Sequence, residues 1–271
     1  MKTTLFSALL FFTLSAFSQD DKAKAKELFL HRDDIAQLDE SIKLMEGIVA
    51  KEKDYGIMVL LSRAYYFQAE FEDDKEKKLA IYDKGTKAGE NVLNTVENFA
   101  KAKKKKKEEA EAVKTIGREN LDALYWTAAN LAKWAKFASF TQKLSVKARI
   151  RYLWDRVMEL DPNYFFGGVY RFFGGYYALV PTITGENDPV KSKEMFDKGI
   201  AAAPDYYESK VLFAEAYCTH PKVKDKALFE KILNEVINSD VNVNKELVPE
   251  NKMAVEKAKK LLAQEKELFE D

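Results

Sequence analysis

All six prolines of this chain (Pro162, Pro181, Pro189, Pro204, Pro221 and Pro249) lie beyond residue 161 of its 271 residues. Proline fixes φ and removes a backbone N–H, so it breaks helices more strongly than any other residue. The long N-terminal part contains none and is free to form uninterrupted helices. Glycine is also scarce, with 11 residues, and loop-rich or all-β architectures are disfavoured. The chain is 46% apolar, with 18 Phe, 13 Tyr and 3 Trp, which suffices for a large core and excludes wholesale disorder. A total of 44 Lys and Arg balances 44 Asp and Glu. That balance argues against a nucleic-acid binder, whose affinity rests on a basic excess.

Residues 1–18 read as a secretory signal peptide. Lys2 gives a positive start, residues 5–17 are mostly apolar, and Ala16-Phe17-Ser18 places small residues where a signal peptidase reads. Cleavage between Ser18 and Gln19 leaves one domain over 19–271, at a periplasmic or otherwise extracytoplasmic address. The apolar run is shorter than the about 20 residues of a membrane-spanning helix, and no span is expected in the mature chain. No cysteine stands at the cleavage site to carry a lipid. The single cysteine, Cys218, lies in the apolar stretch 211–218 and reads as a small buried hydrophobe.

Apolar residues recur at helical spacing. Ile35, Leu38, Ile42, Met45 and Val49 form one stripe, Ile57, Leu60, Leu61, Ala64, Tyr65 and Phe71 a second, and Leu79, Ile81, Tyr82, Gly85 and Val92 a third. Leu60 to Gly85 reads as one tetratricopeptide unit with a widened turn. In it Ala64 and Ala80 let two antiparallel helices approach, and Tyr65, Phe71 and Tyr82 fill the gaps between pairs. Residues 149–162, with Trp154, and 193–204, with Phe196 and Gly199, read as further second helices, each closed by proline. Pro162 and Pro204 stand further apart than the about 34 residues of a regular repeat. The expected fold is therefore all-α, an irregular tetratricopeptide-like helical-hairpin solenoid. The basic run Lys101–Lys107 could meet acidic lipid or nucleic acid. Its blander reading is a solvated helix face in which Lys104, Lys105 and Lys107 meet Glu108, Glu109 and Glu111 four residues on.

Residues 122–137 are rich in alanine, with Tyr125, Trp126, Trp134 and Phe137 spread around the helix, the pattern of a central helix buried on several faces. The following stretch, 162–181, holds Gly167-Gly168 and Gly174-Gly175 seven residues apart, a spacing that brings both pairs to one helix face. Glycine in a helix costs about 1 kcal/mol relative to alanine. Four such residues call either for a tight helix crossing or for an opening where a ligand or partner meets bare backbone. The nearby aromatics are either plain core or the wall of a cavity between helix pairs, with Tyr125, Trp126, Phe173, Tyr176 and Tyr177 as the candidate ligand contacts.

In order along the chain come Ala123-Leu124-Tyr125-Trp126, Leu160-Asp161-Pro162, the stretch from Gly168 to Ala178 that leads to Pro181, and the Lys191 to Pro204 helix. This ordered set resembles the TatT family, the T components associated with TRAP (tripartite ATP-independent periplasmic) transporters. The helices around 211–217, 229–236 and 253–262, with Phe269, are similar to its C-terminal half. The resemblance is strongest over 120–271. It implies an all-helical, tetratricopeptide-like periplasmic protein that partners a solute-binding P component, assembles as a homotrimer, and holds an apolar passage or cavity able to take an apolar or organic-acid ligand. The alternative is a generic tetratricopeptide-type scaffold of the cell envelope.

No catalytic or cofactor chemistry emerges. His31 and His220 are far apart in the chain, without further ligands at metal-binding spacing, and read as surface histidines. Gly185 to Asp188 lacks the alternating oxygen ligands of a calcium loop and reads as a turn whose Asp188 caps the helix beginning at Pro189. Phosphate loops and nucleophile elbows are absent from the sequence. A non-enzymatic protein without cofactor or metal is expected.

Overall fold

The computed structural model describes residues 19–105 and 108–270. The expected signal peptide, residues 1–18, lies outside them. Among the described residues the chain is helical with no strand. Helices α1 (Gln19–Leu30), α2 (Ile35–Val49), α3 (Tyr55–Phe71) and α4 (Lys75–Leu93) each pack on the next. Short helices α5 (Glu97–Lys104) and α6 (Glu109–Val113) lead to α7 (Leu121–Phe137), which lies against α3, α4 and α8 (Phe140–Leu160). The second half runs through α9 (Tyr164–Leu179), α10 (Pro189–Ala202) and α11 (Glu208–Phe213), which continues as a π turn over Ala214–Cys218. Helices α12 (Lys226–Ile237), α13 (Val248–Ala263) and α14 (Glu265–Phe269) complete the array.

Aspartates start many of these helices. Asp34, Asp54, Asp74, Asp188 and Asp225 each accept hydrogen bonds from first-turn N–H groups that have no partner within the helix. Ser139 and Gln142 form a reciprocal capping box that opens α8 about two and a half turns earlier than residue 149. The expected central helix is α7: every residue from Leu121 to Leu131 except Asp122 is buried.

The close approach of the first hairpins has a different source from the one expected. Ala64 is buried, but Ala80 is exposed and Phe71 is 36% exposed, because the contacting seam of α4 runs through Gly85 and Gly89. A Cβ at Gly85 would lie 2.1 Å from Asn130 Oδ1, and one at Gly89 would lie 2.2 Å from Thr127 Oγ1. Ser62 Oγ donates to Gly85 O at 2.8 Å and Asn130 Nδ2 donates to Ser62 O at 3.0 Å, so α3, α4 and α7 are hydrogen-bonded where their backbones are nearest.

The basic run is not one continuous helix face. Helix α5 ends at Lys104 and α6 begins at Glu109; Lys107 lies outside the described residues. Glu109 instead accepts from Arg149 at 2.7 Å and from Tyr152 Oη at 2.7 Å, and Glu111 takes Lys114 at 2.7 Å. The acids of this stretch tie α6 to α8 or to their own helix.

Candidate ligand cavity

Helix α9 begins irregularly. Phe165, Phe166 and Gly167 have φ of 46°, 57° and 69°, the left-handed region that costs an L-residue about 1–2 kcal/mol. Regular helix starts only at Gly168. One turn on, Arg171 reaches back and donates from Nη2 to Phe165 O at 2.9 Å and from Nη1 to Phe166 O. Phe166 also stacks on Tyr206 with ring centroids 5.3 Å apart. These contacts hold the strained turn.

The four glycines divide between two faces, correcting the single face expected. Gly167 and Gly174 meet α10: added Cβ atoms would stand 3.3 Å from Ala202 Cβ and 2.8 Å from the Phe196 ring. Gly168 and Gly175 line the cavity on another side. A Cβ on Gly168 would come within 2.2 Å of Tyr125 Oη, whereas one on Gly175 would meet nothing within 4 Å. The seven-residue spacing operates between corresponding members of the pairs, serving a helix crossing on one side and an opening on the other.

The cavity has a volume of about 440 Å³, within the range of small-molecule sites. Of the expected contacts, Tyr125, Trp126 and Tyr176 line it. Phe173 and Tyr177 are not among the lining residues: they pack together at 5.9 Å, with the Arg151 guanidinium 5.3 Å from the Phe173 ring. The wall is an edge-to-face assembly in which Tyr125 meets Trp126 at 5.0 Å, Trp154 at 5.2 Å and Tyr164 at 5.2 Å, and Trp126 meets Phe165 at 4.7 Å. Leu144 and Leu179, 42% and 57% exposed, stand at the mouth. Tyr125, Trp126, Arg171 and Tyr206, each 6% exposed or less, form the inner end.

A second cavity of about 710 Å³ adjoins the first, and Tyr66, Lys133, Lys136, Tyr206, Glu208 and Glu215 line both. Their common wall is an ion network. Lys133 pairs with Glu70 at 2.7 Å and Lys136 with Glu215 at 2.5 Å, while Lys257 bridges Glu208 and Glu215 at 3.0 Å each. Burial alone would raise the carboxyl pKa values; Lys133 and Lys257 outweigh it and hold Glu70 at about 2, and Lys257 and Lys136 hold Glu215 well below the carboxylate range. Burial, reinforced by Lys257 and Lys133, pushes Lys136 down. Three lysines thus face three glutamates, and the partition is neutral overall.

The charged wall and Arg171 escape a reading based on apolar periodicity. The available signal was Arg171 itself, the sole charged residue in the sixteen of α9. Cys218 is buried in the π turn, and burial raises its thiol pKa to about 12. His220 is 4% exposed rather than superficial: Nδ1 accepts the Lys222 N–H at 3.1 Å, leaving Nε2 to donate to Asn187 Oδ1 at 3.0 Å. Among the described residues no group of three His, Cys, Asp or Glu is placed to hold a metal ion.

Paired helices around an internal aromatic chamber, with no helix among the described residues long and apolar enough to cross a membrane, define the class of protein. The chain belongs to the TRAP transporter T-component family, whose model (TAtT) matches residues 35–269, from the first residue of α2 to the last of α14. Its role accordingly lies in TRAP transport, as an accessory, envelope-associated component. No curated protein matches the chain.

Proposed function

We propose that this protein is a periplasmic, non-enzymatic T component that binds the solute-binding P component of a TRAP-type transporter and holds an apolar or organic-acid ligand in its aromatic cavity. The observation that carries this reading is the extent of the family match, which includes every residue lining that cavity. Tyr125, Trp126 and Tyr176 are the aromatic ligand contacts, and Gly168 and Gly175 leave backbone accessible beside them. The helix pairs serve as tetratricopeptide-like repeats, the signal peptide directs export before its removal after Ser18, and the mature chain assembles as a homotrimer.

The test is co-purification of tagged mature protein with the solute-binding proteins of its own cell, with light scattering on the same preparation. A stoichiometric P component and a trimer mass are expected. Failure to retain any solute-binding protein would sink the transporter reading in favour of a general envelope scaffold.

A further inference from the structure

The inner end of the apolar cavity holds a buried cation, Arg171, that no carboxylate among the described residues neutralises. Arg32 and Glu250, each 4% exposed, pair at 2.5 Å, and Arg63 reaches the same carboxylate at 3.1 Å. Arg63 lies 5.2 Å from the Trp126 ring and 4.9 Å from the Phe165 ring. On the other side of Phe165, Arg171 is 6% exposed and stacks 4.1 Å from the Tyr206 ring. Among the described residues no carboxylate stands within ion-pair reach of Arg171, and its protein acceptors are the Phe165 and Phe166 carbonyls and Tyr125 Oη at 3.5 Å. Arg171 is therefore the arginine that lines this end, with Arg63 behind the Trp126 and Phe165 rings and paired to Glu250 together with Arg32. Burial and the neighbouring Arg32 push the Arg63 pKa down against the pull of Glu250. The partition beside it, by contrast, is balanced.

A buried cation without a counter-charge is strongly disfavoured, and carbonyl oxygens and aromatic faces offset only part of that cost. An anionic group supplied from outside would complete the site. Toward the mouth Ala129, Leu212, Leu144 and Leu179 line the wall, with Lys143 and Lys147 beside Leu144 and Lys147 paired to Glu186.

We propose that the cavity selects amphiphilic monocarboxylates that enter acid first, with the carboxylate at Arg171 and the hydrocarbon tail directed toward Leu144 and Leu179. This rests on the reading of the cavity as a ligand site. Arg171 is then its specificity-determining residue, because a guanidinium offers planar, directional donors that match a carboxylate. Arg32 and Arg63, engaged by Glu250, contribute field rather than contact.

Calorimetric titration of the full protein with decanoate and with decanol, which share a chain and differ in charge, tests the proposal. Decanoate is expected to bind at least about tenfold more tightly than the alcohol, a charge-assisted hydrogen bond's worth of selectivity. Arg171→Gln brings the decanoate-to-decanol affinity ratio down to about one, and Arg171→Lys restores part of it. Arg171 also braces the left-handed turn, so circular dichroism and melting accompany each variant, and the acid-to-alcohol ratio of the unsubstituted protein is decisive without them. Equal binding of the two probes overturns the acid-first site but leaves a ligand cavity; acid preference that survives in folded Arg171→Gln overturns the role of Arg171. Binding of neither probe overturns both this proposal and the ligand reading, while P-component association is scored separately.

Discussion

Phe165 and Phe166 occupy backbone conformations that β-carbon-bearing residues avoid, and both rings help to build the aromatic inner end. Their strain persists because the surroundings over-determine it: Arg171 takes both carbonyls, and Tyr206 takes the Phe166 face. No local rule would assign two phenylalanines to left-handed geometry, so this part of the site was illegible in the sequence. The glycines were legible as an anomaly, though their division between two faces depends on where regular helix begins. That division makes a prediction. Gly175 is helical and its added Cβ meets nothing, so Gly175→Ala should stabilise by about 0.5–1 kcal/mol through helix propensity. Gly168→Ala should instead destabilise by about 1–3 kcal/mol, because its Cβ would enter the space of the Tyr125 hydroxyl. Urea midpoints measured side by side check the opposite signs; a shared sign would refute the two-face assignment.

Among the elements, those with strict apolar stripes were readable in advance, as α2 shows from Ile35 to Val49. Alanine density similarly placed α7 at the centre. Helix α8 is legible only in its second half, since its first turns are half-exposed and the start is set by a capping box rather than by an apolar stripe. The seam between α4 and α7 is hidden for a related reason: a glycine records the absence of a side chain, and only the opposing Asn130 and Thr127 reveal its use. Gly89→Ala brings its Cβ within 2.2 Å of Thr127 Oγ1 and 3.1 Å of Thr127 Cα. The hydroxyl could rotate away, but the backbone atom cannot move without shifting α7. A net loss of about 2 kcal/mol is expected after the gain in helix propensity, equivalent to about 4–8 °C in melting temperature for a chain of this size. Differential scanning calorimetry checks this, and an unchanged melting temperature would show that the helices separate without cost.

Across the whole molecule, zero formal charge conceals an uneven interior: a neutral ion network separates the two cavities, while Arg171 at the inner end of the first has no carboxylate within ion-pair reach among the described residues. Net charge from the sequence could not locate either, because Glu70, Lys133, Glu215 and Lys257 come from four different stretches of chain. This interior sets the response to acid. A carboxylate held at a depressed pKa contributes stability that is full above its unfolded value and disappears as pH falls through its folded value. For Glu70 the window runs from 4.5 down to about 2, and the linked stabilisation is on the order of 3 kcal/mol. Glu215, shifted in the same direction by Lys257 and Lys136 against burial, extends the loss on the acid side. His220, lowered by burial and Lys222, adds an earlier and smaller loss that begins as pH drops through 6.5, where the unfolded imidazole gains its proton first. Stability measured by urea unfolding should therefore be level near neutrality, dip slightly below 6.5 and fall steeply below 4.5. Glu70→Gln should lower the neutral plateau, since it removes the carboxylate that pairs with Lys133, and flatten the limb between 4.5 and 2; an acid limb of unchanged slope in that variant would remove Glu70 from the account.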